Sequence, residues 1–476
     1  MRSFRRIQNR FQRETGFSNF IKIAAAILLI VGMFVSVALP GEAAYYFRQQ
    51  GRDIVVVIDP GHGGSNEGTT ENGFCEKEMT LTTALALYDR LTQYDGVTVY
   101  LTRTDDTESS LADRAMFAKS VEADYLFSIH YNASENHELF GSEVWVPLTA
   151  PYNVYGYQFG CTLLSRLQEK GLFIRGIKTR KNDRGTDYYG ILREAVALEI
   201  PAILIEHCHV DEVRDYPYCD TKEKQEAFGY EDAEAIARFL GLSSESLGID
   251  YSGEPEDAFL QKVYAMDTNT IVASTLQDTT APEICSIERI SEDYGGLEAV
   301  IQVAAADYDS PLMYYAYSLD GGLTYSPRQP WPGSNTLTGE YQDVFQVALQ
   351  IPEETMPRIC VKAYNQFEMT TESNVLEGYM IFRRPQEEVQ EEVPESVETL
   401  GTAADASEES PESQPASAGG WLDSRGEPEA ESPEYGVRIQ DFLLVSLLAA
   451  AALVALMLVI QILRSAGQHR RRHRRK

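Results

Sequence analysis

The chain has 476 residues, a formal net charge of −31 at pH 7 and six cysteines. This length leaves room for two or three domains, and so large an excess of acidic residues argues against nucleic acid as a partner. The cysteines include no CxxC pair, which excludes the usual sequence signatures of structural zinc sites and of thiol-disulfide enzymes.

The N-terminal region, residues 1–44, combines basic residues with an uncharged apolar run at 23–39. This combination is typical of a secretory signal peptide and equally of a signal anchor. The small residues that follow the run permit cleavage without requiring it, so the sequence leaves both alternatives open. In either case we expect the next part of the chain to lie outside the cytoplasm.

Residues 53–242 alternate apolar runs with helix-like patterns, which is the signature of an α/β domain. The first run, 54–58, consists only of Ile and Val and suits a strand that is buried on both faces. Helical spacing of apolar residues predicts helices over 78–93, 111–121, 152–170 and 223–240. We therefore predict a mostly parallel sheet with helices on both faces.

Three of the predicted strands end in residues that can bind a metal. The run "VVVIDPGH" ends in His62, "YLFSIH" ends in His130, and "AILIEHCH" ends in residues 206–209. Because parallel strands place their carboxyl ends along one edge of a sheet, these residues should meet there. Two imidazoles and one carboxylate, with the fourth position left for water, form the ligand set of a catalytic zinc hydrolase.

The carboxylate of such a set is not fixed by spacing alone. Glu76 lies between "DPGHGG" and the first predicted helix, close to the expected edge of the sheet. An acidic residue at a helix start is also favoured by the helix dipole, whatever its function. Glu67, Glu71 and Glu78 are open to the same explanation, so the spacing leaves the choice open.

Five segments, in this order, resemble the zinc-dependent N-acetylmuramoyl-L-alanine amidases, a family of bacterial cell-wall hydrolases: "IDPGHGG", "GFCEKEMTL", "LTRTDD", "SIHYNAS" and "IPAILIE". The resemblance covers about residues 53–242. It implies that His62, Glu76 and His130 bind Zn²⁺ and that Glu206 is the catalytic carboxylate. The implied substrate is peptidoglycan, cleaved at the amide bond between N-acetylmuramic acid and L-alanine.

General chemistry is compatible with these roles. A zinc ion held by two His and one Glu keeps a net positive charge, lowers the pKa of a bound water towards about 7 and polarises a carbonyl group. Glu206 would then be free to take a proton from the water and deliver it to the departing nitrogen. The alternative for Glu206 is a buried structural carboxylate at the end of a strand.

The chain departs from the family directly after Glu206. Relatives usually continue with Gly-Phe and then Ser-Asn, whereas this sequence has "HCHVDEVRD". His207 and His209 should share one face of a strand, so a second metal site is an alternative to a single one. The short connection "ENHELF" leaves no room for the inserted helix that blocks the site in some relatives, and no such autoinhibition is expected.

A connector, 243–280, leads to a second domain at 281–384. Its short alternating strands are separated by turn signals, which predicts a β-sandwich of immunoglobulin-like size. Cys285 lies near the first of these strands and Cys360 near a late one. The two could form a disulfide across the sandwich or remain two buried thiols, and the sequence favours neither.

The remaining segments predict a membrane anchor. Residues 385–436 are rich in Glu, Ser, Pro and Ala, which predicts a disordered acidic linker. The run 442–463 carries no charge and is long enough to cross a bilayer core of about 30 Å. The basic tail, 464–476, should stay in the cytoplasm by the positive-inside rule. We therefore expect a protein of the cell membrane, anchored by the C-terminal helix and by the run at 23–39 if it is not cleaved, with an extracytoplasmic catalytic domain.

These observations favour a membrane-anchored peptidoglycan hydrolase. One alternative is a non-catalytic wall-binding or sensory receptor that has kept the fold, and another is an adhesion protein in which the sandwich is the working part. The complete set of His, Glu, His and Glu favours the hydrolase, because a site without function is expected to lose residues. The sequence does not identify protein partners, which stay unknown.

Overall fold

The computed structural model describes residues 52–253, 255 and 257–385. The predicted segment 1–44, the apolar run 442–463, the tail 464–476 and all but the first residue of the acidic linker lie outside the described residues. Among the residues that the structure describes, no helix is long and apolar enough to cross a membrane.

Between residues 52 and 242, the described part of the α/β domain contains six strands and six helices. Its strands are β1 (Ile54–Pro60), β2 (Val97–Leu101), β3 (Tyr125–Asn132), β4 (Ser142–Trp145), β5 (Ile174–Lys178) and β6 (Ala202–His209). Its helices are α1 (Glu76–Leu91), α2 (Leu111–Ser120), α3 (Tyr152–Glu169), α4 (Gly190–Ala197), α5 (Tyr216–Cys219) and α6 (Lys222–Leu240). Four of these helices lie within two residues of the predicted ranges, whereas α4 and α5 were not predicted.

Local sequence sets several helix ends. The hydroxyl oxygens of Ser110 and Thr221 accept hydrogen bonds from the backbone N–H groups of Asp113 and Lys224, which caps the first turns of α2 and α6. Helix α6 ends at Gly241, whose φ of 61° is the left-handed conformation that glycine adopts most readily. These caps fix the helices that pack against the sheet.

The six strands form one sheet in the order β2-β1-β3-β6-β4-β5. Strands β2, β1, β3 and β6 are parallel, but β4 pairs with β6 in the antiparallel direction and β5 runs parallel to β4. The sheet is therefore mixed rather than parallel throughout. The connection 133–141 between β3 and β4 is shorter than the dozen or more residues that a parallel crossover needs. Strand β4 therefore runs antiparallel to β3 and β6.

Helices cover both faces of this sheet, as predicted. One core is formed mainly by α1, α3 and α6 against residues such as Val56, Phe127 and Ile205. The other is formed by α2 and α4 against Val57 and Leu204. Strands covered on both faces explain the continuous apolar runs in the sequence, and their carboxyl ends remain free for a site.

The connector is ordered and completes the core of the α/β domain. It contains β7 (Ser243–Ser244), β8 (Ile249–Asp250), α7 (Ala258–Tyr264) and α8 (Thr268–Thr275). Leu260, Val263 and Ile271 are buried in the same apolar cluster as α3 and α6. The side chain of Asn153 donates a hydrogen bond to the Thr275 hydroxyl at 2.8 Å. The folded unit therefore extends beyond residue 242.

Two sheets form the C-terminal β-sandwich. One contains β9 (Ile284–Asp293), β10 (Glu298–Ala306) and β13 (Val344–Gln350). The other contains β11 (Leu312–Ser318), β12 (Gln329–Pro330), β14 (Arg358–Asn365), β15 (Thr370–Glu372) and β16 (Leu376–Glu377). Buried residues alternate with less buried ones along β10, which agrees with the predicted period of two.

The cysteines of the sandwich are free thiols. Cys285 is half-buried and its thiol donates to the Val361 carbonyl at 3.7 Å, while Cys360 is buried beside the Tyr325 hydroxyl at 3.6 Å. Of the two alternatives for this pair, the structure has the thiols. The other four cysteines are free as well.

The packing of the connector leads to a test by substitution. We expect Ile271→Ala to lower the free energy of unfolding by about 2–5 kcal/mol, because Ile271 is 0% exposed and its removal leaves a cavity. Urea unfolding measures the change. Leu276→Ala is the matched control, since Leu276 follows α8 but is 46% exposed, and should cost less than about 0.5 kcal/mol. A small loss in both variants would mean that the connector is not part of the core.

Candidate metal centre

The loop that follows β1 is held by two buried guanidinium groups. Arg114 donates to the carbonyl oxygens of Pro60 and His62 at 2.7 and 2.6 Å, and to the Asp59 carboxylate at 2.7 Å. Arg103 donates to the carbonyl oxygens of Pro60 and Gly61 at 3.0 and 2.8 Å. The Asp59 carboxylate is thereby paired inside the sheet edge, and the loop is fixed to the core.

This fixed loop allows close contact between the first and third strand ends. His62 has a φ of 62°, a left-handed conformation that costs a residue with a side chain about 1 kcal/mol or more. A Cβ atom at Gly61 would lie 2.3 Å from Cε1 of His130, so only glycine leaves room for that ring. The absence of a side chain at Gly61 therefore lets the imidazole rings of His62 and His130 approach each other. Their centroids are 5.0 Å apart.

Glu76 is the first residue of α1 and lies between the two imidazoles. Its Oε1 atom is 3.1 Å from Nε2 of His62 and 3.0 Å from Nδ1 of His130. Its Oε2 atom accepts a hydrogen bond from the Thr69 N–H at 2.9 Å. Burial would raise the pKa of Glu76, but hydrogen bonds with His130 and His62 outweigh it and lower that pKa well below its ordinary value.

These three side chains have the arrangement of a metal ligand set. The ligand atoms of His62, Glu76 and His130 all lie within 4.8 Å of one another, and no other group of three or more His, Cys, Asp or Glu residues in the described ranges does so. Nδ1 of His62 is 2.9 Å from Oδ1 of Asn66 and can donate to it, which leaves Nε2 facing Glu76. A second hydrogen bond of this kind commonly orients a metal-binding histidine. The donor set fits zinc.

Glu206 lies beside this group on β6. In the sheet it pairs with His130 on one side and with Glu143 on the other. Its side chain is buried, and its Oε2 atom has no hydrogen-bond partner. Burial, followed by the negative charges of Glu76 and Glu143, raises the pKa of Glu206 well above its ordinary value. Glu206 is therefore a carboxyl group that readily holds a proton.

His207 and His209 do not share one face of β6 in the structure. The alternative of a second metal site formed by these two residues is therefore wrong. Residues 130 and 132 of β3 pair with residues 206 and 209 of β6, which means that β6 contains one extra residue at this point. His207 contacts the Asp232 carboxylate at 3.0 Å through Nε2 and the His130 carbonyl at 3.2 Å through Nδ1. Both ring nitrogens are thus engaged by buried oxygen atoms, and His207 is not among the described residues whose ligand atoms converge.

His209 lies in a different environment. Its Nδ1 atom donates to the Gly141 carbonyl at 3.1 Å, while the backbone N–H groups of His209 and Gly141 both donate to the Asp215 carboxylate. Burial, with the positive charge of Arg175 as the next cause, lowers the pKa of His209 to about 3. His209 is a neutral residue of the core.

Analysis of the sequence did not find Glu143, which lies opposite Glu206. The sequence feature that could have indicated Glu143 is a charged residue inside the apolar strand "SEVW". A buried carboxylate requires partners, so such a residue predicts cations nearby. The matching signal was "IRGIK", where Arg175 and Lys178 interrupt another buried strand. These three residues form buried ion pairs at 2.8–3.0 Å.

Comparison with known proteins identifies the family. A family model described as N-acetylmuramoyl-L-alanine amidase matches residues 56–238. The N-acetylmuramoyl-L-alanine amidase CwlM of Bacillus licheniformis is 32% identical over 197 residues, which cover 41% of this chain and 72% of that relative. The chain belongs to the N-acetylmuramoyl-L-alanine amidase family. We therefore call the α/β domain, residues 53–242, the amidase domain.

Other relatives match a similar share of the chain. The sporulation-specific N-acetylmuramoyl-L-alanine amidase of Bacillus subtilis is 36% identical over 163 residues, which cover 34% of this chain and 58% of that protein. A solved N-acetylmuramoyl-L-alanine amidase from Clostridium difficile 630 is 29% identical, covers 40% of this chain and 97% of its own, and has a TM-score of 0.35. The family assignment rests on the sequence relatives and concerns the amidase domain.

The buried pair of His207 and Asp232 should contribute to stability and not to metal binding. We expect His207→Ala to cost about 3–5 kcal/mol of unfolding free energy, because it leaves the Asp232 carboxylate buried without its partner. The double variant His207→Ala, Asp232→Ala should cost less than the sum of the single variants. Urea unfolding tests this, with zinc content measured in parallel. Additive costs, or loss of zinc in a folded His207→Ala protein, would contradict the assignment.

Proposed function

We propose that this chain is a membrane-anchored, zinc-dependent peptidoglycan hydrolase that cleaves the amide bond between N-acetylmuramic acid and L-alanine. One observation supports this most strongly. The ligand atoms of His62, Glu76 and His130 converge at the sheet edge beside Glu206, a buried carboxyl group with an unpaired oxygen. Membership of the amidase family agrees with this chemistry.

The mechanism divides the work between the ligand set and Glu206. Zinc held by His62, Glu76 and His130 would polarise the amide carbonyl and acidify a water molecule. Glu206 takes the proton that the attacking water loses and delivers it to the departing nitrogen of L-alanine. The raised pKa of Glu206 suits the second step, because a weakly acidic carboxyl group holds the proton until the nitrogen can accept it.

The alternative function is a receptor that binds the cell wall without cleaving it. The unpaired Oε2 atom of Glu206 favours the enzyme, because a buried carboxyl oxygen without a partner costs stability that a purely structural residue would not retain. An adhesive role for the sandwich alone has no observation in its favour.

Substitution of the two carboxylates tests the mechanism. We expect Glu206→Gln to lower the hydrolysis rate by roughly 10²- to 10⁴-fold with zinc still bound, because an amide cannot accept the proton of water. Glu76→Gln should lose zinc and activity together. The measurements are release of L-alanine amino termini from purified peptidoglycan and zinc content of the full chain. Normal turnover by a folded, zinc-loaded Glu206→Gln protein would refute the role of Glu206, whereas no hydrolysis by the folded, zinc-loaded protein without substitutions would favour the receptor.

The proposed topology places the amidase domain outside the membrane and the tail, 464–476, in the cytoplasm. The basic residues that flank both apolar runs support it. Protease added to intact protoplasts should degrade the amidase domain, as detected by an antibody against it, and lysed protoplasts provide the control for total cleavage. An amidase domain that is cut only after lysis would overturn the proposed topology.

A further inference from the structure

Glu143 is a buried carboxylate with a full set of donors. Its Oε1 atom accepts hydrogen bonds from the side chains of Asn132 at 2.8 Å and Trp145 at 3.3 Å. Its Oε2 atom accepts from Arg175 Nε at 3.0 Å and from Lys178 Nζ at 2.8 Å. Four donors from β3, β4 and β5 therefore fix one carboxylate at a single position.

That position lies directly opposite the proposed catalytic carboxyl group. Glu143 and Glu206 are paired residues of the antiparallel strands β4 and β6. Side chains paired in this way extend from the same face of a sheet, with Cβ atoms about 4.5–5.5 Å apart. A displacement of the Glu143 side chain would therefore change both the space around Glu206 and the charge that it experiences.

The β-sandwich supplies the outer partners of Arg175. Nη1 of Arg175 donates to the Tyr314 hydroxyl at 2.6 Å, and Nη2 lies 3.1 Å from a Glu368 carboxylate oxygen. The Tyr314 hydroxyl in turn donates to the Phe140 carbonyl at 3.1 Å. All three nitrogens of the guanidinium group are thus engaged, one towards Glu143 and two towards the sandwich.

The contact with the sandwich also balances the buried charges around Arg175. The buried part of the amidase domain places two cations, Arg175 and Lys178, against one anion, Glu143. Glu368 of the sandwich supplies a second anion and also forms an ion pair with Arg328. Buried charges without partners are expensive, so Arg175 is held where both carboxylates can reach it.

Apolar packing seals the same contact. Phe140 of the amidase domain is buried in one cluster with Met313, Tyr314 and Tyr364 of the sandwich, and Phe173 packs against it. The ring centroids of Phe140 and Tyr314 are 5.2 Å apart. The sandwich is therefore docked on the amidase domain through a buried apolar cluster beside Arg175.

We propose that Tyr314 and Glu368 are positioning residues for the amidase reaction. They hold Arg175 against Glu143, and Glu143 in turn fixes the surroundings of Glu206. The sandwich is thus a required part of the catalytic unit and not a spacer. This inference rests on the proposed role of Glu206, because it assigns the sandwich an effect on that residue.

The test uses single-atom or isosteric changes in the full chain. We expect Tyr314→Phe and Glu368→Gln to lower kcat by about 10- to 100-fold, since small misplacements of catalytic groups have effects of this size, with KM and zinc content unchanged. Thr336→Val is the matched control. It removes a hydroxyl that donates to the Ile174 carbonyl across the same contact but does not touch the Arg175 guanidinium group, so kcat should stay within about twofold.

A second background separates positioning from general loosening of the structure. In a Glu206→Gln protein, Tyr314→Phe should lower the residual rate no further, because the effect acts through Glu206. An additional loss in that background, or an equal loss of kcat in Thr336→Val, would overturn the inference. If Tyr314→Phe fails to fold, Glu368→Gln carries the same test, since the Glu368 side chain lies partly at the surface.

The outcomes for the two proposals differ. No hydrolysis by the folded, zinc-loaded chain without substitutions would refute the proposed function itself, and full activity of Glu206→Gln would refute the role of Glu206 on which this inference rests. Loss of activity in Glu206→Gln, together with normal kcat in Tyr314→Phe and Glu368→Gln, would leave the proposed function intact and refute the role of the sandwich.

Discussion

The ion pair between Asp59 and Arg114 is the interaction on which the candidate metal centre depends. It lies inside the sheet edge, and Arg114 uses its remaining donors to hold the carbonyl groups of Pro60 and His62. The left-handed backbone at His62 is costly and persists only where the surroundings enforce it. The orientation of the His62 imidazole is therefore a property of the core, and a rigid core supplies the preorganisation that a metal site requires.

Three buried carboxylates at this edge have different properties because their donors differ. Glu76 is surrounded by imidazole and backbone N–H donors and stays ionised. Burial would raise the pKa of Glu143, but Lys178 and Arg175 outweigh it and lower that pKa. Glu206 lacks such donors at Oε2 and has a raised pKa. One residue type thus provides the proposed metal ligand, a structural anion and the proposed proton carrier.

Much of this site could be predicted from local sequence. Apolar runs followed by glycine and histidine mark strands that end at the ligand edge, and this pattern located His62 and His130. Glu76 required the family resemblance, because an acidic residue at a helix start has an ordinary explanation. The packing of the connector could not be predicted either. The segments around Leu260 and Ile271 are short, and they are stabilised by the core of the α/β domain against which they pack.

Other features depend on long-range pairing and could not be predicted. The antiparallel pairing of β4 with β6 places Glu143 beside Glu206. The residues "SEVW" alone do not indicate which strand β4 pairs with. The extra residue in β6 separates His207 from His209, although strict alternation would have placed them together. Arg175 and Tyr314 are 139 positions apart in the chain, so their contact emerges only in the folded molecule.

Strand β5 lies at one edge of the six-stranded sheet, and among the described residues it pairs only with β4. The outer side of such a strand is a template for pairing with another molecule. Here the Thr336 hydroxyl donates to the Ile174 carbonyl and the Gln366 amide donates to the Arg175 carbonyl, so side chains of the sandwich occupy acceptors of that strand. These contacts lie on the same face of the sandwich as those that hold the Arg175 side chain, so the surface that docks the sandwich also covers a strand edge that could otherwise pair with another molecule.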